Sequence, residues 1–182
     1  MFEVELKFPL ASHDAVRQHL KSFEVTSRST SEHCDEYFNH SLLDFAAQDI
    51  ALRIRSRTGH NVLTYKGPNL DRRAKVREEI ELELSTDDKS KFRQMLFGMG
   101  FHSVAAVNKK RDSIRIIVDQ QTIEVCLDDV QGVGTFIELE QVVAEKSEIK
   151  AAKDHLESLA STLGITSQPT TISYLEMLIG NS

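Results

Sequence analysis

The strongest constraint on the fold of this chain is a repeated alternation of charged and apolar residues. In the first segment, Glu3, Glu5 and Lys7 alternate with apolar side chains, and Arg53 and Arg55 do the same later. A period of two is typical of β-strands, whose successive side chains point to opposite faces. The same period recurs at Lys75, Arg77, Glu79, Glu81 and Glu83, at Lys109, Arg111 and Arg115, at Glu124 and Asp128, and at Glu138 and Glu140.

The apolar faces of these strands have helices available to cover them. For one strand alone, a charged face in water is the simplest interpretation. Here the chain also contains three amphipathic helical segments, which need an apolar surface to pack on. The outer surface of a closed barrel supplies one. The charged faces are therefore predicted to point inward, into a lumen.

The predicted fold class is α+β: a closed eight-stranded antiparallel β-barrel, a tunnel with a charged lumen and with helices packed on the outside. No repeat or linker divides the chain, so residues 1–182 are predicted to form a single domain. The predicted strands are Phe2–Phe8, Ser31–Phe38, Ile50–Arg57, Val62–Lys66, Lys75–Leu84, Ala105–Ile117, Gln121–Leu127 and Thr135–Val142.

Three helical segments and a short amphipathic tail are predicted between and after these strands. Ser12 is expected to cap the first, through about Lys21. Thr86 is expected to cap the second, with Phe92, Met95, Leu96 and Met99 on its core face. The third starts after Ser147, buries Ile149, Ala152, Leu156, Leu159 and Leu163, and stops at Gly164, and a short amphipathic tail covers Ile172–Ile179.

Composition excludes several functional classes. A net charge of −6 argues against a nucleic-acid surface, because phosphate backbones require a basic face. No segment approaches the roughly 20 apolar residues that a membrane helix needs. The sequence therefore predicts a cytoplasmic protein without a membrane or nucleic-acid partner.

The charges of the predicted lumen match a polyphosphate. Burying so many ions is costly unless a charged ligand compensates them. Seven cationic side chains, with arginines suited to bidentate phosphate contacts, are predicted to bind a triphosphate. They are Lys7, Arg53, Arg55, Lys66, Arg77, Lys109 and Arg111.

The carboxylates of the lumen would repel a triphosphate unless they hold a cation. Mg²⁺ binds one or two carboxylates together with phosphate oxygens and water. Glu3, Glu5, Asp128, Glu138 and Glu140 are the candidate ligands. The sequence thus predicts Mg²⁺ as cofactor, with Mn²⁺ as an open alternative and the number of ions undetermined.

The ordered motifs of this chain resemble the CYTH superfamily, the triphosphate tunnel metalloenzymes. Glu3-Val4-Glu5-Leu6-Lys7 resembles its ExExK signature, and nearly the whole chain follows its motif order. Further matching segments are Tyr37-Phe38, Ala51–Arg55, Tyr65–Pro68, Arg77–Glu81, Lys109–Arg111, Leu127–Glu140 and Ser173–Glu176.

This resemblance implies an eight-stranded tunnel and specific site residues. It implies Glu3, Glu5, Glu138 and Glu140 as metal ligands, with Glu79 and Glu81 as additional candidates, and the lumen cations as phosphate ligands. The tail and the Gly132–Phe136 turn look most like the class IV adenylyl cyclase group. A cyclase would convert ATP to cyclic AMP and pyrophosphate, with Lys7, Arg53, Lys109 and Arg111 as the expected catalytic cations. A homodimer is a further expectation from the resemblance.

Two other functions stay open at this point. Thiamine and inorganic triphosphatases share the same tunnel, so the substrate is ATP or another organic or inorganic triphosphate. Asn39 stands where many relatives carry Asp, and no lysine follows Lys153 to supply a carboxy-terminal phosphate ligand. A non-catalytic polyphosphate-binding module is the rival of another class. None of the seven histidines shows metal-ligand spacing, and all are expected at the surface or its boundary.

Overall fold

The computed structural model describes residues 2–57, 59–69 and 75–180. Its helices are α1 (Asp14–His19), α2 (Thr86–Gly98), α3 (Ile149–Thr162) and α4 (Tyr174–Gly180), with 3₁₀ turns at Leu20–Ser22 and Lys146–Glu148. Its strands are β1 (Phe2–Leu10), β2 (Glu24–His40), β3 (Ala51–Arg57), β4 (His60–Lys66), β5 (Lys75–Arg77), β6 (Glu79–Leu84), β7 (Phe101–Val118), β8 (Gln121–Val130) and β9 (Gly134–Val143).

The strands form one antiparallel sheet that returns on itself. Their order is β5-β1-β9-β8-β7-β2-β3-β4-β6. The two edge strands, β5 and β6, are neighbours in the chain and are separated only by Glu78. Arg77 of β5 lies opposite Glu3, while Glu79 of β6 lies opposite Lys66. The predicted antiparallel barrel with helices outside is confirmed as a nearly closed, barrel-like sheet.

The predicted count of eight strands is wrong by one, for a local reason. Lys75–Leu84 was predicted as a continuous strand, and the structure divides it at Glu78. At this residue the chain leaves its partner β1 and takes β4 as the next one. The carbonyl of Glu78 accepts a hydrogen bond of 2.9 Å from the backbone N–H of Gly67. One predicted strand therefore becomes two, each with its own neighbour.

β2 and β7 are much longer than predicted. They have 17 and 18 residues and pair along almost their whole length, from Glu24 opposite Ile117 to His40 opposite Phe101. The first part of β2, from Glu24 to Thr30, is mostly polar and exposed on both faces. Hydrophobic alternation is therefore weak there, and the strand is specified by its hydrogen bonds to β7.

The largest core cluster lies outside the barrel, as the inverted strand pattern predicts. Val4 and Leu6 of β1 are buried with Leu156 and Leu159 of α3. The alternate residues of β1 point into the cavity described below. Apolar residues of β8 and β9 and of α1 complete this cluster, so α1 and α3 cover the apolar face of this part of the sheet.

Two smaller clusters attach the other helices. Leu96 of α2 packs with Phe38, Ile54 and Leu63 from three neighbouring strands. Tyr174 of α4 packs with Val107, Val130 and Phe136. Helix α2 thus covers part of the outer wall, whereas α4 packs on residues of the inward-facing parity and lines the cavity. Among the described residues, no helix has both the length and the apolar character needed to span a membrane.

Helix α2 differs in detail from its prediction. Its cap is Ser85, whose hydroxyl accepts a 3.1 Å hydrogen bond from the N–H of Asp88, and Thr86 is the first helical residue. Of the predicted core face, Leu96 is buried and Phe92 is half-buried, but Met95 and Met99 are more than half exposed. Helical period alone could not show how narrow the contact with the sheet is.

We expect Leu156→Ala to lower the free energy of unfolding by about 2–5 kcal/mol, because it removes a fully buried side chain and leaves a cavity between α3 and the sheet. Urea unfolding followed by circular dichroism measures this change. Leu42→Ala is the control, since Leu42 is 90% exposed. Equal midpoints for the two variants would contradict the location of the main core outside the barrel.

Candidate triphosphate and metal site

The barrel encloses one large cavity with strongly charged walls. Its volume is about 930 Å³. Residues of all nine strands line it, together with the chain from Thr171 to Glu176. The predicted site residues that line it are Glu3, Glu5, Lys7, Arg53, Arg55, Lys66, Arg77, Glu79, Glu81, Lys109, Arg111, Glu138 and Glu140.

Three glutamates converge on one side of this cavity. Glu5 of β1 and Glu138 and Glu140 of β9 each place a carboxylate oxygen within 4.8 Å of the others. We call these three residues the carboxylate group. Their convergence follows from strand register, since Glu5 lies opposite Glu140 and Lys7 lies opposite Glu138. Lys7 Nζ is 3.8 Å from Glu5 Oε1 and 3.5 Å from Glu138 Oε1.

Negative charge accumulates around the carboxylate group. Burial and the charge of Glu3 raise the pKa of Glu140 well above its usual range, despite the opposing charge of Arg111. Burial and the charge of Glu79 raise the pKa of Glu3 to about 7. Carboxylate oxygens that approach one another in a buried site fit a hard divalent cation, which would relieve this repulsion. The donor set therefore fits the predicted metal.

Asp128 holds two cations of the cavity wall. Its carboxylate, which is fully buried, accepts hydrogen bonds from Lys109 Nζ at 2.9 Å and from Arg111 Nε and Nη2 at 2.7 and 2.6 Å. Burial alone would raise the pKa of Asp128, but the charges of Arg111 and Lys109 outweigh it and lower the pKa. Arg111 also contacts Glu138 and lies 3.6 Å from Glu140.

The placement of Asp128 argues against its predicted role as a metal ligand. It is not among the residues that line the cavity, and it stands outside the carboxylate group. Both of its oxygens already accept hydrogen bonds from cations. The geometry instead gives Asp128 the role of orienting Lys109 and Arg111.

Asp35 holds a second pair of cations. Arg55 donates to it from Nε and Nη2, both at 2.7 Å, and Arg53 donates from Nη1 at 3.4 Å. Burial alone would raise the pKa of Asp35, but the hydrogen bonds from Arg55 and the charges of both arginines hold it well below its usual range. Arg53 also donates to the hydroxyl of buried Thr64 at 3.1 Å, and that hydroxyl donates to Glu81 at 3.0 Å.

The remaining predicted site residues of the cavity form ion pairs of their own. Lys66 bonds to Glu79, and Arg77 lies 3.1 Å from Asp49. The predicted additional metal ligands, Glu79 and Glu81, are thus engaged by Lys66 and Thr64 and lie outside the carboxylate group. Arg53 and Arg77 nevertheless keep buried Nε atoms that have no hydrogen-bond partner among the described residues.

Tyr174 joins the tail to the cations that line the cavity. We call these cations the cation wall: Lys7, Arg53, Arg55, Lys66, Arg77, Lys109 and Arg111. Its hydroxyl donates to Asp128 at 3.0 Å, and Lys7 Nζ lies 4.2 Å from the centre of its ring. Lys109 Nζ lies 5.1 Å from the same ring. The aromatic face therefore stabilises two lysines that also face the carboxylates. Burial is the main cause that raises the pKa of Tyr174, so the hydroxyl stays protonated and able to donate.

Sequence reasoning missed three polar residues of this site. Asp35 and Thr64 were not predicted to act, and His33 was predicted at the surface or its boundary but is only 5% exposed and lines the cavity. A signal existed in β2, where Ser31, His33, Asp35 and Tyr37 share one parity and all line the cavity. These short polar residues resemble an ordinary solvated face, so the pattern alone does not distinguish them.

Comparisons with known proteins agree on one family for this chain. The model of the CYTH domain family matches residues 1–172. A protein of Methanocaldococcus jannaschii named "putative adenylate cyclase" is 36% identical over 97% of this chain and 98% of its own. The adenylate cyclase CyaB of Aeromonas hydrophila is 31% identical over 95% and 86%. A solved structure of a Pyrococcus horikoshii protein is 37% identical, covers 99% of both chains and has a TM-score of 0.85.

Replacing Asp35 by Asn tests its role as an anchor for the arginines. The variant keeps the shape of the side chain and leaves Arg53 and Arg55 without their buried counter-charge. We expect the free energy of unfolding to fall by about 3 kcal/mol at neutral pH. Asp154→Asn, on the exposed face of α3, is the control and should change little.

The difference between wild type and Asp35→Asn should depend on pH. Since the pKa of Asp35 is lowered in the folded protein, the ion pairs contribute fully above the unfolded pKa of about 3.9. This contribution is lost as the pH falls through the lower, folded value. Urea unfolding at several pH values measures the difference. A difference that began to shrink well above pH 5 would contradict the assignment, because the relevant carboxyl would then have a raised pKa.

Proposed function

Because the chain belongs to the CYTH domain family, we propose that it is a divalent-metal-dependent adenylyl cyclase that converts ATP to cyclic AMP and pyrophosphate. The family and the fold support an enzyme that acts on triphosphates, and the names of the two curated relatives support the cyclase reaction. The observation that carries the proposal is the position of the cation wall directly beside the carboxylate group. Arg111 joins the two, because it bonds to Asp128 and to Glu138.

The cation wall has donors that remain available to a ligand. Arg55 uses Nε and Nη2 for Asp35, so its Nη1 group can donate to a phosphate oxygen. Within the part of the chain that the structure describes, the buried Nε atoms of Arg53 and Arg77 have no hydrogen-bond partner. Buried donors without partners are rare and often indicate a missing ligand. A triphosphate supplies the acceptors and the negative charge that these groups need.

The same anchors restrict how the cations move. Asp128 and Asp35 fix the guanidinium planes of Arg111 and Arg55 through paired hydrogen bonds. Donors that are already oriented need little reorganisation when charge develops in the transition state. Lys7, Arg53, Lys109 and Arg111 are the proposed catalytic cations. They would stabilise the negative charge that builds on the leaving pyrophosphate.

The reaction requires an attack within one substrate molecule. The ribose 3′-oxygen forms a bond to the α-phosphorus, the bond from that phosphorus to the bridging oxygen breaks, and the hydroxyl proton is released. A divalent cation held by Glu5, Glu138 and Glu140, with Glu3 as a further candidate, would lower the pKa of the 3′-hydroxyl and neutralise phosphate charge. The cations that line the cavity would bind the phosphate oxygens of the substrate.

The cavity also has apolar walls that suit an organic substrate. Phe45, Ile50, Val104 and Ile172 line it along with the aromatic ring of Tyr37. Inorganic tripolyphosphate has no group that would use these surfaces, whereas a nucleoside has a flat, largely apolar base. This feature supports ATP or another organic triphosphate as the substrate.

The direct test is to incubate the purified protein with ATP, thiamine triphosphate or tripolyphosphate and to separate the products by chromatography. With Mg²⁺ or Mn²⁺ we expect cyclic AMP and pyrophosphate from ATP, and with EDTA we expect neither. Glu138→Gln should lower the rate by about 100-fold or more, because it removes charge from the carboxylate group. Glu157→Gln, on the exposed face of α3, should keep the rate of the wild type.

The other outcomes identify the rival functions. Release of orthophosphate without cyclic AMP would make the protein a triphosphatase, with water instead of the ribose hydroxyl as the attacking group. Tight binding of triphosphates with no turnover of any of them would contradict the enzymatic proposal and leave a binding module.

A further inference from the structure

His33 has a buried imidazole ring, and only one of its two nitrogens makes a hydrogen bond within the described part of the chain. It lies on β2, is only 5% exposed and lines the cavity. Its Nε2 is 2.8 Å from the hydroxyl oxygen of Ser31, while its Nδ1 is buried and has no hydrogen-bond partner in residues 2–57, 59–69 and 75–180. A buried polar atom without a partner is costly and unusual in a native protein. The cavity is the place from which a partner could come.

The surroundings of His33 determine what kind of partner fits. Lys109 and Arg111 face it from β7, Arg55 faces it from β3, and Asp35 is the charged neighbour on its own strand. Burial, followed by the charges of these three cations, lowers the pKa of His33 to about 3. The imidazole is therefore neutral near pH 7, and none of the cations can accept a hydrogen bond from it.

Ser31 allows the neutral imidazole to act as a donor toward the cavity. A serine hydroxyl can donate to Nε2, and the single proton of the ring then sits on Nδ1. The Nδ1–H group needs a hydrogen-bond acceptor, and the three cationic neighbours favour one with a negative charge. An anionic oxygen in the cavity meets both requirements.

We propose that His33 is a substrate-binding residue whose Nδ1–H donates a hydrogen bond to a phosphate oxygen of the triphosphate held by Arg55, Lys109 and Arg111. This inference rests on the proposed function, because it requires a triphosphate in the cavity. The cations provide charge, whereas His33 provides a neutral donor with a fixed direction. Its hydrogen bond therefore fixes the position of one phosphate oxygen, whereas the charges of the cations attract the phosphate without a preferred direction.

Two amide substitutions separate this role from a structural one. In His33→Asn the amide nitrogen is bonded to the γ-carbon, as Nδ1 is in histidine, so it can replace the donor to the ligand. In His33→Gln the amide lies one atom further out, so it can replace the contact with Ser31. The affinity for inorganic tripolyphosphate with Mg²⁺, measured by calorimetry, is the readout, and thermal unfolding checks that each variant is folded.

We expect His33→Gln to bind tripolyphosphate about 10- to 100-fold more weakly than the wild type, the effect of losing a hydrogen bond to a charged group. His33→Asn should stay within about threefold, since it keeps the donor. His155→Asn is the matched control, because this histidine is half-buried on the outside of the barrel and should leave the affinity unchanged.

The opposite pattern, with affinity kept in His33→Gln and lost in His33→Asn, would overturn the inference and make the bond to Ser31 the important one. Unchanged affinity in both variants would overturn it as well. If the wild type itself failed to bind tripolyphosphate or ATP, the proposed function would fall and this inference with it. In the wild type, ¹⁵N NMR provides an independent readout: a protonated Nδ1 whose proton signal shifts on addition of tripolyphosphate supports the donor role, and an unprotonated Nδ1 contradicts it.

Discussion

The compensation of buried charge is the constraint on which this structure depends. A barrel with its apolar face outside must place its charged face inside, where ions are costly unless partners are close. Asp128 and Asp35 meet this requirement for the cations. Each accepts hydrogen bonds from two basic side chains, and each has a lowered pKa despite its burial. The helices can cover the outside of the sheet only because the inside is balanced in this way.

The acids of the lumen divide into two kinds. Asp35 and Asp128 are saturated by cations, whereas Glu3 and Glu140 have raised pKa values because burial and neighbouring carboxylates disfavour their charged forms. The first kind stabilises the fold of the cation wall. For the second kind, the nearby cations do not offset burial and the neighbouring carboxylates, so the charged forms are disfavoured. A divalent cation beside these glutamates would favour their charged forms.

The sequence was sufficient to predict that the apolar faces of the strands point outward and the charged faces inward, because the period of two and the amphipathic helices are both visible in it. Most of the predicted cations and carboxylates line one cavity, as their parity required. The different surroundings of Asp128 and Glu138 were not predictable. The alternation of each strand assigns both residues to the inner face, but only the pairing of β8 with β7 shows that Asp128 lies beside Lys109 and Arg111.

The strand that closes the barrel shows the same limit. The alternation in Lys75–Leu84 is broken only at Glu78, where a charged residue stands at an apolar position, and a single break does not reveal a change of strand partner. The change brings in β1 on one side of Glu78 and β4 on the other, and these two strands are far apart in the sequence. His33 is a further example, because a histidine beside serines has the composition of a solvated strand. Its burial results from the long pairing of β2 with β7, which the polar residues of β2 do not reveal.

The tail links the two kinds of interaction. Tyr174 is buried in an apolar cluster with Val107 and Phe136, yet its hydroxyl reaches Asp128 and its ring faces Lys7 and Lys109. Asp128 thus has a neutral donor in addition to its cations, and Lys7 has an aromatic surface in addition to its carboxylates. Because a phenol adds no net charge, Tyr174 can orient these ions without upsetting the balance around the carboxylate group. The packing of α4 is thereby coupled to the geometry of the cations, so a helix that lines the cavity contributes to the precision of the site.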